Sequence, residues 1–311
     1  MIFHLDLQVP PWLLDIVNLP VRMPLFFFLS GIFFRQRPFK TFIGKRIKTL
    51  VAPFFFFYLL GLIFFLIRFR YFHDLVPEYY ADLTYAQILT SFSKIFDLHY
   101  DYSPLLGNGV LWFLIALFNI QMIFYGLSHF VKNRTLIFII CLVLSIGRAA
   151  FGTVGVSGPF YLPQSFFYLA YYAAGSYLGP KLLDLAFKRF RSILFYSAFA
   201  LLFLATTYLY MVFKEHWRFL VFFQSAGFIP LVFLFFKSFY KLPVLKPFTF
   251  AGQNSIIIFG TQYICMWTFS MLTHNIDFPI PTSLVMLPFV FIVQYLLIKL
   301  FTEYTPFLVG K

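Results

Sequence analysis

One histidine stands almost at the start of the chain, in the segment MIFHLDLQVPPW. A histidine side chain has an unperturbed pKa of about 6.5, so its neutral imidazole can accept a proton near neutral pH. His4 is therefore a candidate general base that would take the proton of an attacking hydroxyl group. The alternative is a solvated histidine near a frayed chain end, with no chemical role.

A second group of polar residues lies late in the chain, in the segment FAGQNSIIIFGTQY. Ser255 and Gln262 are seven residues apart, which places them two turns apart on one face of a helix. With Asn254, they could line a pocket between helices. The other interpretation is that Asn254 or Ser255 caps the helix, and we expect such a cap, which is compatible with a pocket role.

The composition places all of these residues in a membrane protein. Of 311 residues, 61% are hydrophobic and only 11% are charged, whereas a soluble globular protein has about 25% charged residues. Cys141 and Cys265 lie in apolar segments and are expected to be buried packing residues. The histidines and cysteines show no ligand spacing, so we expect no metal site. The fold class predicted is all-α, a polytopic transmembrane helical bundle.

Nine stretches are long and apolar enough to be predicted as spans, together with the end of an earlier helix at residues 1–5. No cleavable signal peptide is expected, because the first residues lack a basic segment and a full apolar segment. The predicted spans lie near residues 21–35, 49–69, 110–130, 135–150, 162–180, 192–213, 217–236, 250–272 and 281–301.

The charged residues between the predicted spans indicate the orientation. Residues 35–48 contain six basic residues and no acidic one, whereas the acidic residues concentrate in residues 70–108. Because cytoplasmic loops carry the excess of Lys and Arg, residues 35–48 and the C-terminus are predicted to be cytoplasmic. The same distribution accounts for the net charge of +13 without nucleic acid as a partner.

Tyrosines concentrate around the fifth predicted span, in the segment FYLPQSFFYLAYYAAGSYLG. Tyrosine is common at the two membrane interfaces, and we expect such a belt for Tyr168, Tyr171, Tyr172 and Tyr177. A wall on which sugar rings stack would have the same sequence pattern.

Several segments, in order along nearly the whole chain, resemble those of the membrane acyltransferase-3 family. VRMPLFFFLSGIFF resembles the second-helix signature, and FKTFIGKRIKTLVAPFFFFYLL resembles the basic stretch that follows it. LWFLIALF resembles the Trp-Phe-Leu span, YYAAGSYLG the small-residue span, and FAGQNSIIIFGTQY the late Gly-x-Asn-Ser span. Each segment alone is weakly specific, and the ordered set is more so.

The resemblance implies transfer of an acyl group, most simply acetyl, from cytoplasmic acyl-CoA to a hydroxyl of a cell-envelope carbohydrate or lipid-linked sugar. It implies a bacterial inner-membrane location and a single domain over residues 1–311. It gives His4 the catalytic role. Arg46 is expected to bind the donor. The residues expected to line the substrate pocket are Trp112, Asn254, Ser255 and Gln262.

Two features of the sequence depart from the family pattern. The family has a basic residue well upstream of its histidine, and nothing precedes His4 that could supply it, so we expect the chain to lack most of the first helix. Gln262 stands where the family commonly has a histidine. The alternatives are therefore an inactive acyltransferase paralogue, or a transporter of polysaccharides or lipid-linked sugars that shares the helices and basic loops.

Overall fold

The computed structural model describes residues 20–76, 82–93, 108–151, 159–185, 189–212, 220–239, 241–273, 276 and 282–310. These residues are mostly helical and contain no strand, which confirms the predicted all-α class. In chain order the helices are α1 (Arg22–Ile32), α2 (Phe39–Arg46), α3 (Ala52–Tyr71), α4 (Tyr85–Ser93), α5 (Trp112–Phe130), α6 (Arg134–Phe151), α7 (Leu162–Leu185), α8 (Arg189–Val212), α9 (Leu220–Phe239), α10 (Lys246–Gln253), α11 (Ser255–Leu272) and α12 (Thr282–Tyr304).

Each of the nine predicted spans overlaps a helix, but the predicted span at residues 250–272 is divided at Asn254 between α10 and α11. An apolar segment in a bilayer must satisfy its backbone hydrogen bonds internally, and a helix does so. Among the described residues, four helical segments are long and apolar enough to cross a membrane: Phe39–Tyr71, Gly109–Phe130, Ser255–Leu272 and Val285–Tyr304. Three shorter apolar helices are Arg22–Ile32, Tyr196–Val212 and Leu220–Phe236. The total of nine crossings stays a prediction.

Helices α2 and α3 form one continuous helical segment with an irregularity inside it. Residues Ile47–Val51 form a π-helical turn between them. π-helical turns are rare in proteins, and those that occur are often found at functional sites. Here the turn begins directly after Arg46, the residue that the sequence predicts to bind the donor.

Helices α1 and α7 pack with their backbones in direct contact. A Cβ atom on Gly31 would lie 2.9 Å from the carbonyl carbon of Tyr172 and closer still to its oxygen. A Cβ atom on Gly175 would lie 2.8 Å from the carbonyl carbon of Phe28. Small residues at helix interfaces allow this close approach in membranes. Gly31 and Gly175 therefore allow α1 to lie directly against α7.

Aromatic side chains from α1, α3, α5 and α7 form the core of the bundle. Phe27, Phe57 and Tyr172 are fully buried there. Tyr171 is also buried, with its ring stacked on Phe222 of α9 at 5.1 Å. The belt expected from the sequence is therefore wrong for Tyr171 and Tyr172, which point into the bundle.

Candidate functional site

A basic pocket opens where the loop after α1 meets α2. Its volume is about 280 Å³, and it is lined by Phe33, Arg35, Arg37, Phe42, Lys45 and Arg46. None of the described lining residues is acidic. Four cationic side chains around one cavity produce a positive potential that attracts anions.

Two hydrogen bonds hold the loop that carries Arg35 and Arg37. The Tyr125 hydroxyl of α5 donates to the Arg37 carbonyl at 2.9 Å, and Gln36 donates from its side-chain nitrogen to the Ser128 carbonyl at 3.3 Å. The Tyr125 ring also stacks on Phe42 at 4.4 Å. The end of α5 therefore fixes the geometry of the basic pocket.

Arg46 lines the basic pocket and is partly buried. Its guanidinium lies 5.0 Å from the centre of the Phe42 ring, a favourable cation–π position. Its Nε atom is buried without a hydrogen-bond partner. Phe42 in turn packs edge-on against Phe34 at 6.2 Å, and Phe34 packs against Tyr172 of α7 at 6.3 Å. The structure thus links Arg46, through Phe42 and Phe34, to Tyr172, which the sequence predicts at a membrane interface.

A second cluster of polar and aromatic residues lies deeper in the bundle, around the start of α5. Asn108 is buried, and its Nδ2 atom donates to the carbonyls of Phe57 and Gly260, both at 3.2 Å. Its Oδ1 atom is buried without a partner. Because Phe57 lies near the middle of the segment Phe39–Tyr71, the chain before α5 reaches well into the bundle.

Trp112 and Gln262 belong to this deeper region. Trp112 is partly buried, with ring centres of Tyr168 and Tyr161 at 5.9 and 6.2 Å. Its neighbour Phe113 stacks with Phe259 of α11 at 5.8 Å. Gln262 is buried on α11, two residues beyond Gly260.

Asn254 and Ser255 lie elsewhere, at the junction between α10 and α11. Asn254 occupies the N-cap position of α11, but its side chain makes no cap bond to that helix. Its Nδ2 atom donates back to the Phe250 carbonyl at 2.8 Å. The expected Asn254 side-chain cap is therefore wrong. Ser255 begins α11 and is two helical turns, about 10 Å, from Gln262.

The remaining predicted residue, His4, lies outside the described residues. Sequence reasoning missed Asn108 and Tyr172. Asn108 stands in the segment GNGVLWF, and a polar residue directly before an apolar span was an available signal. The residues around Tyr172 in the sequence do not distinguish it from the neighbouring tyrosines. Within the described part of the chain, no group of three or more His, Cys, Asp or Glu could hold a metal ion.

A comparison with protein-family models identifies the class of protein. The acyltransferase-3 family, whose model is described as an acyltransferase domain, matches residues 1–299. The chain belongs to this family, and it is a membrane acyltransferase that transfers groups other than aminoacyl groups. Comparisons with curated proteins and with solved structures give no match.

Proposed function

We propose that the protein transfers an acyl group, most simply acetyl, from cytoplasmic acyl-CoA to a hydroxyl of a cell-envelope carbohydrate or lipid-linked sugar. The protein would lie in a bacterial inner membrane with its C-terminus in the cytoplasm. The observation that carries the donor assignment is the basic pocket. Coenzyme A carries several phosphate charges, and Arg and Lys are the side chains that bind phosphate in proteins.

The basic pocket also offers a surface for the adenine ring. Phe33 lines the pocket and its ring is 76% exposed. An exposed aromatic ring provides a face on which a nucleotide base can stack. Arg46, which lines the pocket and is partly buried, would bind acyl-CoA at the point where the phosphates end and the pantetheine arm begins.

The donor pocket and the deeper cluster lie at different levels of the bundle. Tyr125, which holds the Arg37 loop, is thirteen residues after Trp112 on α5, a distance of about 20 Å along the helix axis. The pantetheine arm would bridge this distance inside the bundle. Gln121 lies on α5 between the two levels, and its Oε1 atom is buried without a partner, as suits contact with an amide of the arm.

At the end of this route near Trp112, in the deeper cluster, the thioester of acyl-CoA would meet the acceptor. The hydroxyl oxygen of the sugar bonds to the thioester carbonyl carbon, and the imidazole of His4 accepts the hydroxyl proton. The carbon–sulfur bond then breaks, and the leaving thiolate receives that proton. Trp112 and Gln262 are proposed to line the acyl group, and Asn254 and Ser255 to line the substrate pocket at the α10–α11 junction.

The donor assignment is tested by removing two charges from the pocket. In purified protein, Arg35→Ala with Arg37→Ala should raise the KM for acetyl-CoA by about tenfold or more, because each charge-assisted hydrogen bond to phosphate is strong. The matched control is Lys132→Ala with Arg134→Ala, which removes one charge from the loop between α5 and α6 and one from the first residue of α6. An equal rise in KM for both double variants would contradict specific binding in the pocket.

The catalytic assignment is tested with two histidine variants. His4→Ala should lower kcat for transfer to envelope glycans by about 10²–10⁴-fold, the usual contribution of a general base. His129→Ala, at the end of α5, is the control and should retain activity. Mass spectrometry of the glycans identifies the acyl group. Undiminished transfer by His4→Ala would exclude the base role, and no acylation by the unaltered protein would favour an inactive paralogue.

A further inference from the structure

Tyr172 has a buried hydroxyl group that the packing of the bundle leaves without a hydrogen bond. Its side chain is fully buried, and its hydroxyl has no hydrogen-bond partner. A hydroxyl group buried without a hydrogen bond costs free energy, so such groups are uncommon and call for a specific explanation. An interior that served packing alone would be better filled by phenylalanine at this position.

The position of Tyr172 is fixed rigidly from two sides. Its backbone carbonyl is in contact with Gly31 of α1, where no side chain fits between the helices. Its ring packs edge-on against Phe124 of α5 at 5.2 Å and against Phe34 at 6.3 Å. The hydroxyl therefore has little freedom to turn towards another acceptor in the protein.

The neighbouring polar group is the guanidinium of Arg46. Phe34, which packs against the Tyr172 ring, also packs edge-on against Phe42 at 6.2 Å, and the Arg46 guanidinium lies over the Phe42 ring at 5.0 Å. The Arg46 Nε atom is also buried without a partner. Nε–H and the phenol O–H are both donors. Two unsatisfied donors at the edge of one aromatic cluster are suited to an acceptor oxygen supplied by a ligand.

We infer that Tyr172 is a donor-binding residue, whose hydroxyl donates a hydrogen bond to a carbonyl oxygen of the pantetheine arm together with Arg46. This inference rests on the proposed function, since it takes acyl-CoA as the donor. Tyr172 would contact the arm and not the phosphates, because it is fully buried, whereas the cations that suit the phosphates line the open pocket. Arg46, which lines the pocket and is linked to Tyr172 through the Phe42 and Phe34 rings, joins the two parts of the site.

The experiment compares two single-atom deletions in the detergent-solubilised full chain. Tyr172→Phe removes the hydroxyl under study. Tyr171→Phe is the matched control, since Tyr171 is also buried and its hydroxyl also has no hydrogen-bond partner, but its ring stacks on Phe222 of α9, away from the Phe34 and Phe42 rings. Binding of coenzyme A and of its phosphorylated-adenosine fragment, which lacks the pantetheine arm, is measured by calorimetry. Thermal unfolding of each variant shows whether it is folded.

The inference predicts that Tyr172→Phe weakens coenzyme A binding by about 5- to 10-fold, as expected for one hydrogen bond, and leaves binding of the fragment unchanged. Tyr171→Phe should bind both probes as the unaltered protein does. Equal weakening for both probes, or no difference between the two variants, would overturn the inference. If the unaltered protein failed to bind coenzyme A, the proposed donor itself would be wrong, so the two failures are distinguishable.

Discussion

The contact between α1 and α7 allows a sharp test of the packing that positions Tyr172. Alanine at position 31 would place its methyl group 2.9 Å from the Tyr172 carbonyl carbon and 3.1 Å from the Ser176 amide nitrogen. Ordinary van der Waals contact begins at 3.4 Å. Both neighbours are backbone atoms, so the overlap is relieved only if a whole helix moves and not by rotation of a side chain.

The expected cost of Gly31→Ala follows from two opposing effects. Forcing a methylene-sized group into a well-packed interior typically costs about 1–3 kcal/mol, and a backbone obstacle places this case at the upper end. Alanine gains about 1 kcal/mol over glycine in a helix interior. We therefore expect the free energy of unfolding to fall by about 2 kcal/mol.

Gly126 of α5 supplies the matched control. No described atom lies within 4 Å of a Cβ built on this residue, so Gly126→Ala should keep or raise the stability through helix propensity alone. The assay is denaturant unfolding in mixed micelles, followed by circular dichroism. Equal stability of Gly31→Ala and Gly126→Ala would refute the close approach of α1 and α7.

Two further predictions concern residues that shape the bundle. Asn108→Leu removes both hydrogen bonds to the Phe57 and Gly260 carbonyls and should lower the free energy of unfolding by about 1–3 kcal/mol, measured by the same unfolding assay. Phe160 has a left-handed backbone with φ of 57°, and its ring is 44% exposed, so Phe160→Gly should raise stability by about 1 kcal/mol. A thermal-unfolding midpoint for Phe160→Gly below that of the unaltered protein would contradict the strain at this turn.

The helices could be predicted from the sequence because each depends on local chemistry. Apolar stretches, together with prolines and charges near their ends, are sufficient to place a helix in a bilayer. The π-helical turn at Ile47–Val51 was not predictable, since the apolar pattern runs through it without a break. The inward position of Tyr171 and Tyr172 was missed as well, because a tyrosine suits both an interface and a core.

The family segments in the sequence led to the correct class. Arg46, which they imply as a donor-binding residue, lines the basic pocket, and its binding role stays a prediction. The segments did not indicate which residues meet across the bundle. Asn108 and Gly260 are 152 residues apart in the chain, and their hydrogen bond exists only because α3, α5 and α11 converge. Likewise, the Tyr172 carbonyl lies directly against Gly31, because α1 and α7 pack backbone to backbone.

By itself, therefore, the sequence determined the helical elements, the membrane class and the family, since these depend on composition and on short ordered segments. Only the tertiary structure decided that Arg35, Arg37, Lys45 and Arg46 line one cavity, and that the Tyr172 hydroxyl is buried without a hydrogen-bond partner. The physical reason is that these contacts are set by the close packing of distant helices, which no local pattern of side chains records.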